Sequence, residues 1–226
     1  MELDKDIDSI LDLSGDPKRD AKAWNIRGLA MGNVQSGKTQ NFVGVINKAV
    51  DAGYKIIILI GSINDEGLRM QTQKRLDEGF TGFDTSSADL KKTIVGVGND
   101  PLRRDKNKVV SFTSSALKGD FKKSRAETLS QDIGVYKDDI PIILVVKKNA
   151  SVLKRIYDWF REHHSLDPEG KKMDDPLLFI DDEADWASPN TKKDDDNPTK
   201  INENIRSILT LFCLLYTSPS PRDQRG

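Results

Sequence analysis

The chain of 226 residues contains one cysteine, Cys213, and two histidines, the adjacent pair His163 and His164. A lone cysteine excludes a disulfide within the chain and any cluster of thiolate metal ligands. Neighbouring histidines on a helix point in different directions and make a poor metal pair, so favourable charge near a helix C-terminus is the role expected of them. Long apolar runs are missing too. None approaches the roughly 18 residues of a membrane-spanning helix. The start, "MELDKDIDSI", has neither the basic segment nor the apolar stretch of a secretory signal. These absences lead us to expect a cytoplasmic protein with no membrane partner. Nor is either charge in excess: 35 Lys and Arg stand against 36 Asp and Glu, a net charge of −1. A strongly basic domain would advertise nucleic-acid binding globally, whereas here such contact must come from a local patch.

Apolar and polar stretches alternate along the chain. Residues 1–23 are polar, with Ile7, Ile10 and Leu11 suggesting at most a short amphipathic helix. A buried strand is expected over 26–31. A helix follows from Lys38, with Phe42, Val45, Ile46 and Ala49 on one face and Gly53 as its stop. The β-branched run 54–61 is typical of a strand covered on both faces. A second helix is expected after it, capped by Asn64 or Asp65, with short strands at 93–97 and 109–113. Further strands are expected at 140–146 and 176–181, and helices at 149–164 and 201–211. Strands that are apolar throughout and alternate with helices imply an α/β fold, a mainly parallel sheet with helices on both faces. The end, "CLLYTSPSPRDQRG", is loop-like and resembles a translated sequencing-adapter tail. The expected organisation is a polar segment 1–23, an α/β lobe 24–212 and a non-native tail 213–226.

"GNVQSGKT" carries the chemistry. Gly32, Gly37, Lys38 and Thr39 match the phosphate-loop pattern G-x-x-x-x-G-K-[ST]. The glycines let backbone N–H groups wrap phosphate oxygens, and the following helix offers its positive end. Lys38 reaches the β- and γ-phosphates, and the Thr39 hydroxyl ligates Mg²⁺. Ser36 lies within the loop, and Gln35 is either a γ-phosphate or water-orienting group or a turn former. Trp24 and Asn25 are weak candidates to touch adenine. A carboxylate at the end of a buried strand should complete the site, and "LLFIDDEAD" supplies it. Asp182 is the expected Mg²⁺ partner and Glu183 the general base or water-orienting group. The pairing favours ATP hydrolysis over a GTPase, which would need Asn-Lys-x-Asp, and over a nucleotide kinase with an arginine-rich lid.

The Asp-Glu-Ala-Asp box resembles that of superfamily two helicases and translocases. "MGNVQSGKTQNF", "IIILIGSINDEGLRMQTQKRL", "SFTSSALKGDF", "VVKKNASVLKRI" and "LLFIDDEADWAS" together resemble more closely the bacterial ATPases bearing the "Z-one" domain. Those large restriction-type proteins carry an endonuclease label and are discussed in phage defence. The likeness spans about 24–212. It implies a RecA-like P-loop lobe acting on DNA with ATP and Mg²⁺, followed by a "TATP"-like strand and a second ATPase lobe. The chain then reads as an N-terminal fragment, binding ATP but turning it over feebly.

By the same resemblance, Ser62, Arg69, Gln71 and Arg75 occupy the place where related motors grip a nucleic-acid backbone, and contacts of that kind carry no sequence readout. Arg69 and Gln73 would share a helix face; a solvated face is the competing reading. Thr113 and Ser114, in "TSS", either bind a phosphate or cap a following helix. Lys147 and Lys148 follow a strand at the ligand-binding edge of the sheet, with solvation in a surface loop the favoured expectation. For a nuclease, Glu169-x-Lys171 lacks a strand-borne carboxylate, because Asp158 falls on a helix, and Asp194 to Asp196 read as a solvated run. A non-motor ATP switch or scaffold acting through protein partners remains the alternative function.

Overall fold

Runs of isoleucine, leucine and valine make the centre of the fold. β2 (Ile56–Ile60) and β4 (Ile142–Val146) are buried along their whole length, and β5 (Leu177–Asp181) is buried up to its last residue. They join β1 (Trp24–Arg27), β3 (Val110–Ser111) and β6 (Leu214–Thr217) in a six-stranded sheet of order β1-β6-β5-β2-β4-β3. Every pairing is parallel. This computed structural model describes residues 2–18, 24–28, 38–61, 65–86, 93–101, 109–133, 140–163, 173–182, 199–212 and 214–217.

A strand buried on both faces must be apolar at every position, and β2 shows why. Ile57 and Leu59 join a cluster with Ile7, Val45, Ile46, Ala49, Leu76 and Phe80. These side chains come from α1 (Glu2–Asp12), α2 (Lys38–Ala52), α3 (Glu66–Leu76) and the π-helical turn Asp77–Thr81 that continues α3. Ile56, Ile58 and Ile60 join the opposite cluster. That one is built from α4 (Lys123–Ile133), α5 (Ala150–His163) and α6 (Lys200–Thr210). The expected α/β sheet with helices on both faces is therefore present. Among the described residues, no helix is long and apolar enough to cross a membrane.

Some boundaries follow the sequence reading and others differ from it, each for local reasons. Asp65 caps α3, its carboxylate accepting the Leu68 N–H at 2.9 Å. Gly53 stops α2 with φ +118°, where its N–H still reaches the Ala49 carbonyl. The strand expected over 93–97 reduces to one antiparallel bridge between Phe83 and Ile94, followed by a 3₁₀ turn at Gly96–Asn99. Close backbone packing ends it: a side chain at Gly98 would run into the carbonyl of Gly82. α4 shows little apolar periodicity: among its described side chains, Ala126 and Leu129 meet the core. Within the polar N-terminal stretch, α1 packs onto α2. Ile7 is buried, and Lys48 pairs with Asp4 and Asp8 to tie α1 to α2. Beyond Cys213, Leu214–Thr217 lies in the sheet between β1 and β5.

Trp159 is the largest fully buried side chain among the described residues. It meets Phe112 and Phe160 edge-on at 5.0 and 5.1 Å, and His163 stacks on it at 5.2 Å. Trp159→Ala should cost about 3–5 kcal/mol, read as a lower denaturant midpoint in chemical unfolding. Gly98→Ala should cost about 1–3 kcal/mol through forced backbone movement. An unchanged midpoint for Gly98→Ala would contradict the close packing at Gly82.

Candidate functional site

In parallel α/β sheets, ligands bind beyond the carboxyl ends of the strands. Here that edge gathers the end of β1, the start of α3, the residues after β3, Lys147 and Lys148 after β4, and the acidic end of β5. The registers align Arg27 of β1, Thr217 of β6 and Phe179 of β5 in one row. Asp181 and Asp182 therefore lie two and three residues past that row, towards the edge where the phosphate-loop sequence follows β1.

A buried ion pair closes this edge over the end of β2. The Lys148 ammonium lies 2.7 Å from Asp181 Oδ1, with the two side chains 0 % and 5 % exposed. The contact is an ion pair rather than a well-aligned hydrogen bond. The same ammonium donates to the Asp182 carbonyl at 3.1 Å. On its other side, Asp182 donates its N–H to the Ile60 carbonyl at 2.9 Å. Lys148 stands just past β4 and Asp181 ends β5, while β2 runs between those two strands. The lysine thus spans the central strand.

Lys147 points to a second cluster. Its ammonium is 2.8 Å from Glu66 and 3.8 Å from Asp120. Glu66 also receives the buried Arg69 guanidinium at 2.8 Å, and Arg69 reaches the Ala116 carbonyl at 3.3 Å. The two acids respond oppositely. Burial alone would raise the Glu66 carboxyl, but hydrogen bonds from Lys147 and Arg69 outweigh it and hold the group below its ordinary value. Burial raises Asp120, with the Phe121 N–H and the Arg69 and Lys147 charges offsetting only part of it.

Beneath this cluster lies a polar network. Gln73 donates to Asp77 Oδ1 at 3.0 Å and to the Ser111 hydroxyl at 3.1 Å, and accepts from Thr113 at 2.7 Å. Thr113 accepts the Val145 N–H at 2.9 Å. Asp77 Oδ2 takes the Thr85 N–H and hydroxyl and the Ser115 hydroxyl. Burial raises the Asp77 carboxyl despite these donors. Arg125, whose own ionisation burial disfavours, is coupled to it by charge.

The expected site residues fall into three groups. Gly32, Gln35, Ser36, Gly37, Ser62 and Glu183 lie outside the described residues, as do His164, Glu169, Lys171 and Asp194 to Asp196. Lys38 and Thr39 open α2, described by their backbone alone, and Asp182 is half-buried at the end of β5. Of the expected nucleic-acid contacts, Gln71 and Arg75 are exposed on α3. Arg69, Thr113 and Ser114 are buried instead, 2 %, 0 % and 4 % exposed. Arg69 and Gln73 do share a face, but it is the inward one, with Leu76. α3 has little apolar surface to offer the core, so satisfied polar groups fill the space. The larger correction concerns Lys148, expected in a solvated loop and found fully buried. Its position after an apolar strand at the ligand-binding edge was a usable signal, whereas its partner Asp181 could be found only in three dimensions.

The Asp77 network generates a signed expectation. Because the native carboxyl titrates above its unfolded value, the native state takes up the proton first. Stability assigned to this group therefore rises as pH falls from the native pKa towards the unfolded one. Asp77→Asn places an amide N–H₂ against donors and should cost about 1–3 kcal/mol. In thermal unfolding, the variant's deficit should widen as pH drops from neutral towards the carboxylate range; a pH-independent deficit would show that burial is not shifting Asp77. Compared with known proteins, the chain matches no protein-family model and no curated protein.

Proposed function

We propose that this chain is a RecA-like P-loop lobe that binds ATP with Mg²⁺ and hydrolyses it as part of a DNA-directed, helicase-like motor of the restriction type. The observation that carries the reading is the shared edge of β1 and β5. The Gly32–Thr39 pattern follows β1 in sequence and ends in the first two residues of α2, and Asp182 follows β5. One strand, β6, separates β1 from β5. Two inter-strand spacings amount to about 10 Å, a span that a phosphate chain and a metal ion would fill.

The donors fit Mg²⁺, which prefers hard oxygens and is commonly held by one or two carboxylates plus phosphate oxygens. Asp182 would contribute a carboxylate and Thr39 a hydroxyl. Bound Mg²⁺ would neutralise charge developing between the β- and γ-phosphates. Lys38 would bind the terminal phosphates, the N-terminal turn of α2 would orient them, and Glu183 would accept a proton from the attacking water. The cation that completes such a site in related motors is an arginine from a second lobe, worth about 10³–10⁵ in rate. Slow turnover by this chain alone follows from that requirement.

A switch acting through protein partners is the second reading. Burial of Arg69, Thr113 and Ser114 favours it, because it withdraws three of the side chains expected to grip DNA. The two readings separate on duplex DNA, which should stimulate hydrolysis by a motor assembly and leave a switch unaffected.

Equilibrium titration with a fluorescent ATP analogue tests the site directly. Lys38→Ala should lose binding, while Glu183→Gln should bind as well as the parent chain and hydrolyse nothing. Equal affinity in Lys38→Ala would overturn the nucleotide reading. Vigorous DNA-stimulated hydrolysis by these 226 residues alone would overturn the need for a second lobe.

A further inference from the structure

Lys148 has no task in the reading above, although it is a fully buried charge at the same edge. Removing an ammonium ion from water is costly before any partner compensates. A well-packed apolar pair would hold β4 and β5 together at least as well. The ion pair therefore calls for a reason other than stability.

The hydrogen bonds around Asp182 supply one. The carbonyl that Lys148 holds, that of Asp182, belongs to the peptide joining Asp182 to Glu183. The peptide on the other side of Asp182 is tied to β2 by its N–H to the Ile60 carbonyl. Residue 182 is thus fixed from both directions. At the same time the ammonium neutralises Asp181, the carboxylate next in sequence and just as able in principle to take a metal ion.

The geometry points to Lys148 as a positioning residue: its buried contacts with Asp181 and the Asp182 carbonyl assign metal binding to Asp182 and fix the end of β5 that carries it. This inference rests on the nucleotide reading. Lys148 itself touches neither phosphate nor metal in it; it acts through the chain at 181–182.

Lys148→Met alone would leave the buried Asp181 carboxylate without the Lys148 ammonium and lower the unfolding temperature. The informative variant is therefore Lys148→Met combined with Asp181→Asn, which removes both charges and leaves the net charge unchanged. The readout is the affinity of the fluorescent ATP analogue without metal and across a Mg²⁺ titration, with thermal unfolding measured in parallel. The double variant should keep the parent's unfolding temperature and metal-free affinity, yet need about tenfold more Mg²⁺, the size of loss typical when support for a metal ligand is removed. Lys148→Arg, which can still reach both partners, should retain most of the Mg²⁺ response.

A double variant with the parental Mg²⁺ response would overturn the inference, because the pair would then be structural only. So would a loss of metal-free affinity equal to the loss of Mg²⁺ response, which signals general collapse of the site. If the parent chain bound no nucleotide at all, the nucleotide reading itself would fall, and this inference with it. Normal binding with an unaltered Mg²⁺ response fells only the inference.

Discussion

Placing the Lys148 ammonium beside Asp181 imposes a condition on everything around it. Two opposite charges can remain out of water only if the strands carrying them are held in register, and β2 supplies that register by pairing with both β4 and β5. Ile56 lies opposite Ile142 on one side and Leu177 on the other, and Ile60 opposite Val146 and Asp181. A slip of one residue would move Asp181 away from Lys148 and turn every β2 side chain to the wrong face. Sheet and ion pair therefore enforce the same alignment, one through apolar packing and the other through the cost of an uncompensated charge.

The edge above the sheet is organised by the same logic. Lys147 and Lys148 are neighbours in sequence but face different clusters. Lys147 turns to Glu66 and Asp120, and Lys148 turns to Asp181. Glu66 is thereby linked to Arg69, and Arg69 to the carbonyl of Ala116. The loop after β3, the start of α3, the end of β4 and the end of β5 form a connected polar rim. Beneath it, the Gln73–Asp77–Thr113 network satisfies buried groups where α3 has little apolar side chain to contribute. A half-satisfied network would be worse than an apolar core, which accounts for the number of donors converging on Asp77.

Much of the fold was legible in the sequence because parallel strands buried on both faces must be apolar throughout. The runs that became β2, β4 and β5, and the α5 face of Val152, Leu153, Ile156 and Phe160, could hardly form anything else. The site was legible to the extent that chemistry demands particular residues at fixed spacing, as in the phosphate-loop pattern and the acidic strand end. Less legible were elements whose inward faces are polar. α4 and the inward side of α3 lack the apolar periodicity that announces a helix face, so Arg69 and Gln73 read as surface groups.

By itself, then, the sequence determined a parallel α/β sheet and singled out the phosphate-loop pattern and Asp182 as chemical candidates, because apolar runs and motif spacing are properties of the chain alone. Only the tertiary structure decided which charges are solvated. Lys148 and Lys147 are identical in type and adjacent in sequence, yet one is fully buried over β2 and the other joins a half-buried cluster beside α3. Whether a charged side chain lies in water or in the interior depends on what faces it across the sheet, here Asp181, more than thirty residues further along the chain.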